Sequence, residues 1–103
     1  MSLQSTAITT TLANIYVSTG TTCVTTVYFA NYSTSSNVTF NLYAVANAES
    51  ASNTNKIYSN VTIIAGDTYI IDSERLLLDS GDMLKANCNA NSICSSTVTF
   101  TTI

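Results

Sequence analysis

The chain has 103 residues, with three cationic and six acidic side chains and neither proline, tryptophan nor histidine. This length fits one domain, and charged residues make up 9% of it, where about 25% is usual. A formal net charge of -3 with three cations cannot neutralise a phosphate backbone, so we exclude nucleic acid as a partner.

Membrane insertion and export are also disfavoured by the sequence. No run of residues approaches the roughly 20 apolar residues that a spanning helix needs. The opening MSLQSTAITTTLANIYV lacks the basic start and continuous apolar core of a signal peptide. We therefore expect no membrane contact and no export by a standard signal.

The composition favours β-structure. There are 18 Thr, 14 Ser and 11 Asn residues. Thr and Tyr are enriched in strands, whereas the helix formers Glu, Lys, Gln and Arg are scarce here. We therefore predict an all-β domain with little or no helix.

The chain divides into an N-terminal arm and one domain. Residues 1–13 are rich in Ser and Thr with little pattern, which predicts an arm that is ordered only against a neighbour. Residues 14–103 alternate between short apolar stretches and polar loops, which predicts a single β-sandwich domain. Strands are predicted at residues 14–18, 23–32, 38–44, 57–64, 68–72, 83–88 and 94–102.

Loops and turns separate these strands. Residues 31–37 are expected to form a polar hairpin loop, and residues 47–56 a mobile or contact-making loop. Gly66 and Gly81 mark two turns, a bend is expected at 73–75, and the apolar run 76–78 is either a strand or a helical turn. About eight short antiparallel strands indicate a two-sheet β-sandwich or a jelly roll.

The three cysteines leave two interpretations open. Cys88 and Cys94 flank a short tip, so in a hairpin they would face each other at a distance that a disulfide can span. The alternative is a pair of free thiols made in a reducing cell. Without His, the pair supplies only two of the four ligands that zinc takes, and Cys23 has no imidazole to activate it. We predict no metal site and treat Cys23 as a small buried residue.

The acidic residues are interpreted as turn residues whose carboxylates bind the local backbone. Asp67, Asp79 and Asp82 stand beside Gly or Ser at predicted turns, where a carboxylate commonly accepts local backbone hydrogen bonds. The D-x-D-x-D-G spacing of a calcium loop is absent. We therefore predict no catalytic residue, no cofactor and no enzymatic activity.

Six tyrosines are the large amphipathic residues of this chain. Such rings pack between strands or line protein interfaces where the hydroxyl stays in water. In a carbohydrate-binding module they would instead stack on sugar rings. We predict packing and interface roles for Tyr16, Tyr28, Tyr32, Tyr43, Tyr58 and Tyr69.

The distribution of charge points to an assembly. Seven of the nine charged residues lie within residues 57–86, and only Glu49 and Lys56 lie elsewhere. Soluble monomers guard their strand edges with Lys, Pro or inward-pointing charges, and the rest of this chain has almost none of these. Unguarded edges and a neutral surface predict contacts that ionic strength barely affects.

Residues 57–86, IYSNVTIIAGDTYIIDSERLLLDSGDMLKA, and the hydroxyl-rich last strand ending at Ile103 carry a family resemblance. Together they resemble small virion structural proteins of tailed bacteriophages. The segment NYSTSSNVTFNLY is similar to the same family in a looser way. The sequence departs from the family pattern in its three cysteines and at Ile64, which stands where a proline often precedes the Ala-Gly turn.

The resemblance implies a non-enzymatic β-sandwich that decorates or cements a capsid, or another head or tail surface. It implies the major capsid or tail protein as partner, a homo-oligomer with a trimer favoured, and a place in the virion after assembly in the host bacterial cytoplasm. No functional residue follows from it, because the motif is a folding pattern. The alternative is a carbohydrate-binding or host-receptor-binding module of the phage tail, which needs tyrosines exposed together or a polar groove. A secreted adhesin would need export.

Overall fold

Nine strands form the secondary structure of the computed structural model, which describes residues 2–72 and 75–103. No helix occurs in these residues, and the strands form two antiparallel sheets around one core. The predicted all-β sandwich is confirmed. In chain order the strands are β1 Ser2–Ile8, β2 Ala13–Val17, β3 Thr22–Asn31, β4 Val38–Val45, β5 Lys56–Ile63, β6 Thr68–Ile71, β7 Leu76–Leu78, β8 Met83–Cys88 and β9 Cys94–Thr102.

The two sheets have five and four strands. The five-stranded sheet has the order β1-β9-β3-β6, and β7 pairs with β3 beside β6. The four-stranded sheet has the order β2-β8-β4-β5. The run at residues 76–78 is therefore a strand and not a helical turn.

Most connections cross from one sheet to the other. Residues 31–37 join β3 of the five-stranded sheet to β4 of the four-stranded sheet, so the predicted hairpin loop there is wrong. Residues 89–93 likewise carry the chain from β8 across to β9. The strands that flank each of these two connections bury alternate residues. Two strands that face each other across the core bury alternate residues just as two neighbours in a hairpin do, so the burial pattern does not distinguish the two arrangements.

The first residues of the chain are part of the sandwich. We expected an arm at residues 1–13 that needs a neighbour, but Ser2–Ile8 pairs with β9 of the same chain over its whole length. Only Ile8 of this strand is buried. The strand is held by backbone pairing and by Gln4, whose Nε2 donates to the Ile15 carbonyl oxygen of β2 at 2.9 Å.

An aromatic stack joins the two sheets. The ring centroids of Phe40 in β4 and Phe29 in β3 lie 4.0 Å apart, with 15° between the ring planes. Tyr69 in β6 packs at an angle on Phe40 at 5.6 Å. The apolar residues around this stack come from both sheets, which is the two-layer packing that alternating strands produce.

The two predicted glycine turns are present. Gly66 and Gly81 have φ angles of 78° and 90°, which glycine adopts without strain. A side chain at Gly81 would also meet the Asn47 side chain, because a Cβ built there lies 2.6 Å from its Cγ. Of the bend expected at 73–75, residues 73 and 74 lie outside the described residues.

Candidate functional site

Cys88 and Cys94 are close together but belong to different sheets. Cys88 ends β8 in the four-stranded sheet, and Cys94 begins β9 in the five-stranded sheet. Both are buried, and each is a free thiol. The hairpin that led us to pair them is wrong, yet the Cys88 Sγ lies 3.6 Å from the carbonyl oxygen of Ile8, the residue that pairs with Cys94. Burial, and then the neighbouring Cys88, raise the pKa of Cys94 to about 12.

Three of the six tyrosines point toward the core. Tyr16 is 4% exposed, its hydroxyl donates to Thr22 Oγ1 at 3.2 Å, and its ring packs on Phe100 at 4.4 Å. The Tyr58 and Tyr69 rings meet edge to face at 6.1 Å and pack against the core. Tyr16 therefore does not offer its ring to a partner, because the register shift in β2 between Asn14 and Tyr16 leaves both Ile15 and Tyr16 in the core.

The other three tyrosines lie on three separate surfaces. Tyr28 is half-buried on the outer side of the five-stranded sheet, opposite Ile70. Tyr43 is half-buried on the outer side of the four-stranded sheet, opposite Lys85. Tyr32 is 55% exposed in the connection after β3. The six tyrosines thus do not combine into one aromatic platform.

The acidic residues at the turns bind backbone amides. Asp82 Oδ1 accepts from the Asn47 N–H and Oδ2 from the Asp79 N–H, both at 2.9 Å. These bonds, Asn47 first, lower the pKa of the Asp82 carboxyl. Asp67 Oδ1 accepts from the Thr68 N–H at 2.8 Å. In residues 2–72 and 75–103, no three His, Cys, Asp or Glu residues are grouped to hold a metal, and no helix could span a membrane.

The outer face of the five-stranded sheet is built from strands without charged residues. None of its five strands contains Asp, Glu, Lys or Arg. Small hydroxyl side chains from β9 and β3 cover the middle of this face, where Thr25 Oγ1 and Thr99 Oγ1 lie 2.7 Å apart. Three apolar side chains project from it and are half to two-thirds exposed: Leu3, Ile70 and Leu77. We call the outward side of the five strands of this sheet the neutral face.

β1 forms one edge of the neutral face. It pairs with β9 in continuous register from Ser2 to Ile8, without a bulge, proline or charge. The edges of the four-stranded sheet differ, because β2 and β5 both have register shifts and β5 starts at Lys56. Bulges and charges are the features that keep an edge from pairing with another chain, so β1 is an unguarded edge, and the longest one of its sheet.

The outer face of the four-stranded sheet carries a polar row. Lys56 of β5 and Lys85 of β8 are both register partners of Tyr43 in β4. The Lys56 Nζ lies 5.5 Å from the centre of the Tyr43 ring. Beside this row, Asn41 Nδ2 donates to Asn87 Oδ1 at 3.0 Å. We call this set the lysine–tyrosine row.

An apolar cleft of about 250 Å³ lies between the two sheets at the side of β5 and β7. Among the described residues, Thr26 and Tyr58 supply the hydroxyl groups in its lining. The remaining lining residues are Val24, Val27, Leu42, Ile57, Ile71 and Leu76. The part of the lining that the structure describes thus offers mainly packing surface.

No protein-family model, curated protein or solved structure matches this chain. A function must therefore rest on the two sheet faces, the β1 edge and the thiol pair. Sequence reasoning missed the neutral face, whose three apolar side chains lie in separate strands. It also missed the lysine–tyrosine row, since residues 43, 56 and 85 become neighbours only through strand pairing.

Proposed function

We propose that this protein is a non-enzymatic structural component of a tailed-bacteriophage virion that decorates or cements the capsid, or another head or tail surface. Its partner would be the major capsid or tail protein, and it would assemble as a homo-oligomer, with a trimer favoured. The neutral face is the observation that supports an assembly role. The phage placement is supported by the resemblance of residues 57–86.

The neutral face is suited to broad contacts with another protein. Burying a long charged side chain costs about 1.5–2 kcal/mol in rotamer freedom, in addition to the loss of its hydration. The Ser and Thr side chains of β3 and β9 are short, and their hydroxyl groups bind one another or the backbone, as Thr25 and Thr99 do. Leu3, Ile70 and Leu77 then provide apolar surface that a partner can cover.

The β1 edge offers a second means of contact. An exposed strand with unpaired backbone groups can accept a strand from a neighbour, and main-chain hydrogen bonds supply the affinity. Since β1 has no charged side chain, such pairing brings no charge to bury. Face and edge contacts of this kind are largely independent of ionic strength.

Replacing Ile70 by lysine is expected to reduce the mass of the native oligomer to that of the monomer. The change places an unpaired ammonium on the neutral face, and burying it in a contact costs several kcal/mol. The measurement is light scattering coupled to size-exclusion chromatography, at low and high salt. Ile64→Lys is the matched control, because Ile64 is exposed to a similar extent, 58% against 51% for Ile70, but lies outside the neutral face.

We expect the wild type and Ile64→Lys to keep one oligomeric mass at both salt concentrations. A wild-type monomer at micromolar concentration, unchanged by Ile70→Lys, would contradict self-assembly through this face. Virion placement is tested separately, by mass spectrometry of purified particles from the phage whose genome encodes the chain. Absence of the chain from those particles would contradict the structural role.

We propose binding of an acidic glycan as the second candidate function, supported by the lysine–tyrosine row. Two of the chain's three cations flank one aromatic ring there, in a protein whose formal net charge is -3. Neighbouring amide groups, such as those of Asn41 and Asn87, can donate to and accept from sugar hydroxyls. An anionic saccharide fits the charge of this row better than a neutral one.

Replacing Lys85 by glutamine is expected to weaken binding of an acidic polysaccharide, such as polygalacturonate, by about fivefold, since an exposed ion pair contributes up to about 1 kcal/mol. Binding is measured by isothermal titration calorimetry at two salt concentrations, and the affinity should fall as salt rises. Arg75→Gln removes the same charge away from the row and should leave binding unchanged. Equal binding of neutral dextran, or no binding of either polymer, would overturn this candidate.

A further inference from the structure

We propose that Cys88 and Cys94 are a dithiol–disulfide site, and that a low-molecular-weight disulfide such as glutathione disulfide oxidises them to a covalent link between the two sheets. The site lies at the β8–β9 connection. It is independent of which partner the protein binds.

Several contacts bring the two cysteines to one point of the fold. The Cys88 Sγ lies 2.9 Å from the Ala90 carbonyl oxygen and 3.6 Å from that of Ile8. Ile8 is the register partner of Cys94, and the Cys88 N–H donates to the Thr9 carbonyl oxygen at 2.9 Å. The start of β9, the end of β8 and the end of β1 therefore meet at this point. The Cys88 thiol thus lies against the backbone of Ile8, the residue that pairs with Cys94.

Cys23 lacks these properties. It is half-buried, and its register partners, Leu77 and Thr101, have no sulfur. A reaction of Cys23 with a small disulfide can only give a mixed disulfide or a bond to another chain. The third cysteine thus serves as an internal control for the pair.

The oxidation proceeds in two exchange steps. The Cys88 thiol loses its proton, and its thiolate attacks glutathione disulfide, forming a mixed disulfide and releasing one glutathione thiolate. The Cys94 thiolate then attacks the Cys88 sulfur and releases the second glutathione thiolate. The protein loses two protons and two electrons, and glutathione disulfide gains them as two glutathione thiols.

Burial controls the rate of this reaction. Both cysteines are under 7% exposed, so an oxidant reaches them only when residues 89–93 open. The raised pKa of Cys94 keeps its thiolate scarce at neutral pH, which slows the second step. The pair is therefore expected to stay reduced in the folded protein over short exposures and to oxidise over hours or during folding.

The test compares protein kept with a reductant and protein refolded with glutathione disulfide. Thiol–disulfide exchange is stopped with acid, and free thiols are then alkylated with excess N-ethylmaleimide in denaturant near neutral pH. Peptides are mapped by mass spectrometry without reduction. We expect a Cys88–Cys94 linked peptide in the wild type and in Cys23→Ser. The melting temperature of both should rise by about 10 °C on oxidation, as a short cross-linked loop predicts.

The variant Cys94→Ser should form no internal bond and show no such rise. If either single substitution prevents folding, peptide mapping of the wild type alone decides the question. Recovery of Cys88 and Cys94 as alkylated thiols after refolding with glutathione disulfide would overturn the proposal. So would a stable glutathione adduct on Cys88, because the neighbouring Cys94 should have displaced it.

Discussion

Replacement of Phe40 by alanine is expected to lower the free energy of unfolding by about 3–5 kcal/mol. The Phe40 side chain is fully buried, and its ring stacks on Phe29 and packs against Tyr69. Both of these partners belong to the opposite sheet, so removing the ring leaves a cavity between the two layers. A domain of this size has about 5–15 kcal/mol of stability, so the change removes a large share of it.

The change is measured by urea denaturation followed by far-UV circular dichroism. Tyr32→Ala is the matched control, because Tyr32 is an exposed aromatic residue and its loss should change stability by no more than about 0.5 kcal/mol. A loss below about 1 kcal/mol for Phe40→Ala would show that the aromatic stack does not hold the sheets together.

The positions of the strands were predictable because burial alternates along them. β4 shows this clearly: Val38, Phe40 and Leu42 are buried and the residues between them are half-buried. Gly66 and Gly81 marked the turns because each must adopt a positive φ angle. Alternation and turn chemistry are local properties, and a local property can be read from a single sequence.

The pairing of the strands could not be predicted in the same way. Alternation shows which side of a strand is buried but not which sheet the strand joins. A short polar loop such as residues 89–93 can make a hairpin or cross between sheets, and here it crosses. Cys88 and Cys94 were therefore paired across a hairpin that does not form. They belong to different sheets, where a bond would connect layers and not neighbouring strands.

The first strand escaped prediction because it carries little apolar alternation. β1 has one buried residue, Ile8, and both sides of the rest of the strand are largely exposed. Its pairing with β9 depends on backbone hydrogen bonds, which any sequence without proline can make. The same lack of pattern leaves its outer edge without protection, which is why β1 is central to the proposed assembly.

Binding through the two outer faces is expected to depend differently on salt concentration. Contacts through the neutral face contain no charges to screen, whereas an anionic ligand on the lysine–tyrosine row is held by two ammonium groups. Salt titration of self-association and of polysaccharide binding therefore separates the two candidate functions. The residues that decide this, Lys56 and Lys85, are the only charged residues within the nine strands that the structure describes.

Replacement of Asn31 by alanine is expected to lower the free energy of unfolding by about 2–4 kcal/mol, because buried groups that lose their partners each cost about 1–3 kcal/mol. Asn31 is 2% exposed at the end of β3. Its Nδ2 donates to the carbonyl oxygens of Ser36 and Ile63, both at 2.9 Å, and its Oδ1 accepts from the Ser33 N–H at 3.0 Å. One side chain thus ties the crossing connection to both sheets.

Asn37→Ala is the matched control, because Asn37 lies in the same connection but is exposed and accepts one hydrogen bond, from the Ala65 N–H at 3.2 Å. We expect it to cost less than about 1 kcal/mol. Denaturation gives the two energies, and hydrogen exchange at the Ser33 amide shows whether the loss begins in the connection. Equal stability of the two variants would mean that water replaces the Asn31 amide at no cost. The crossing would then be fixed by the apolar core alone, since the strands on either side of it bury alternate residues in any case.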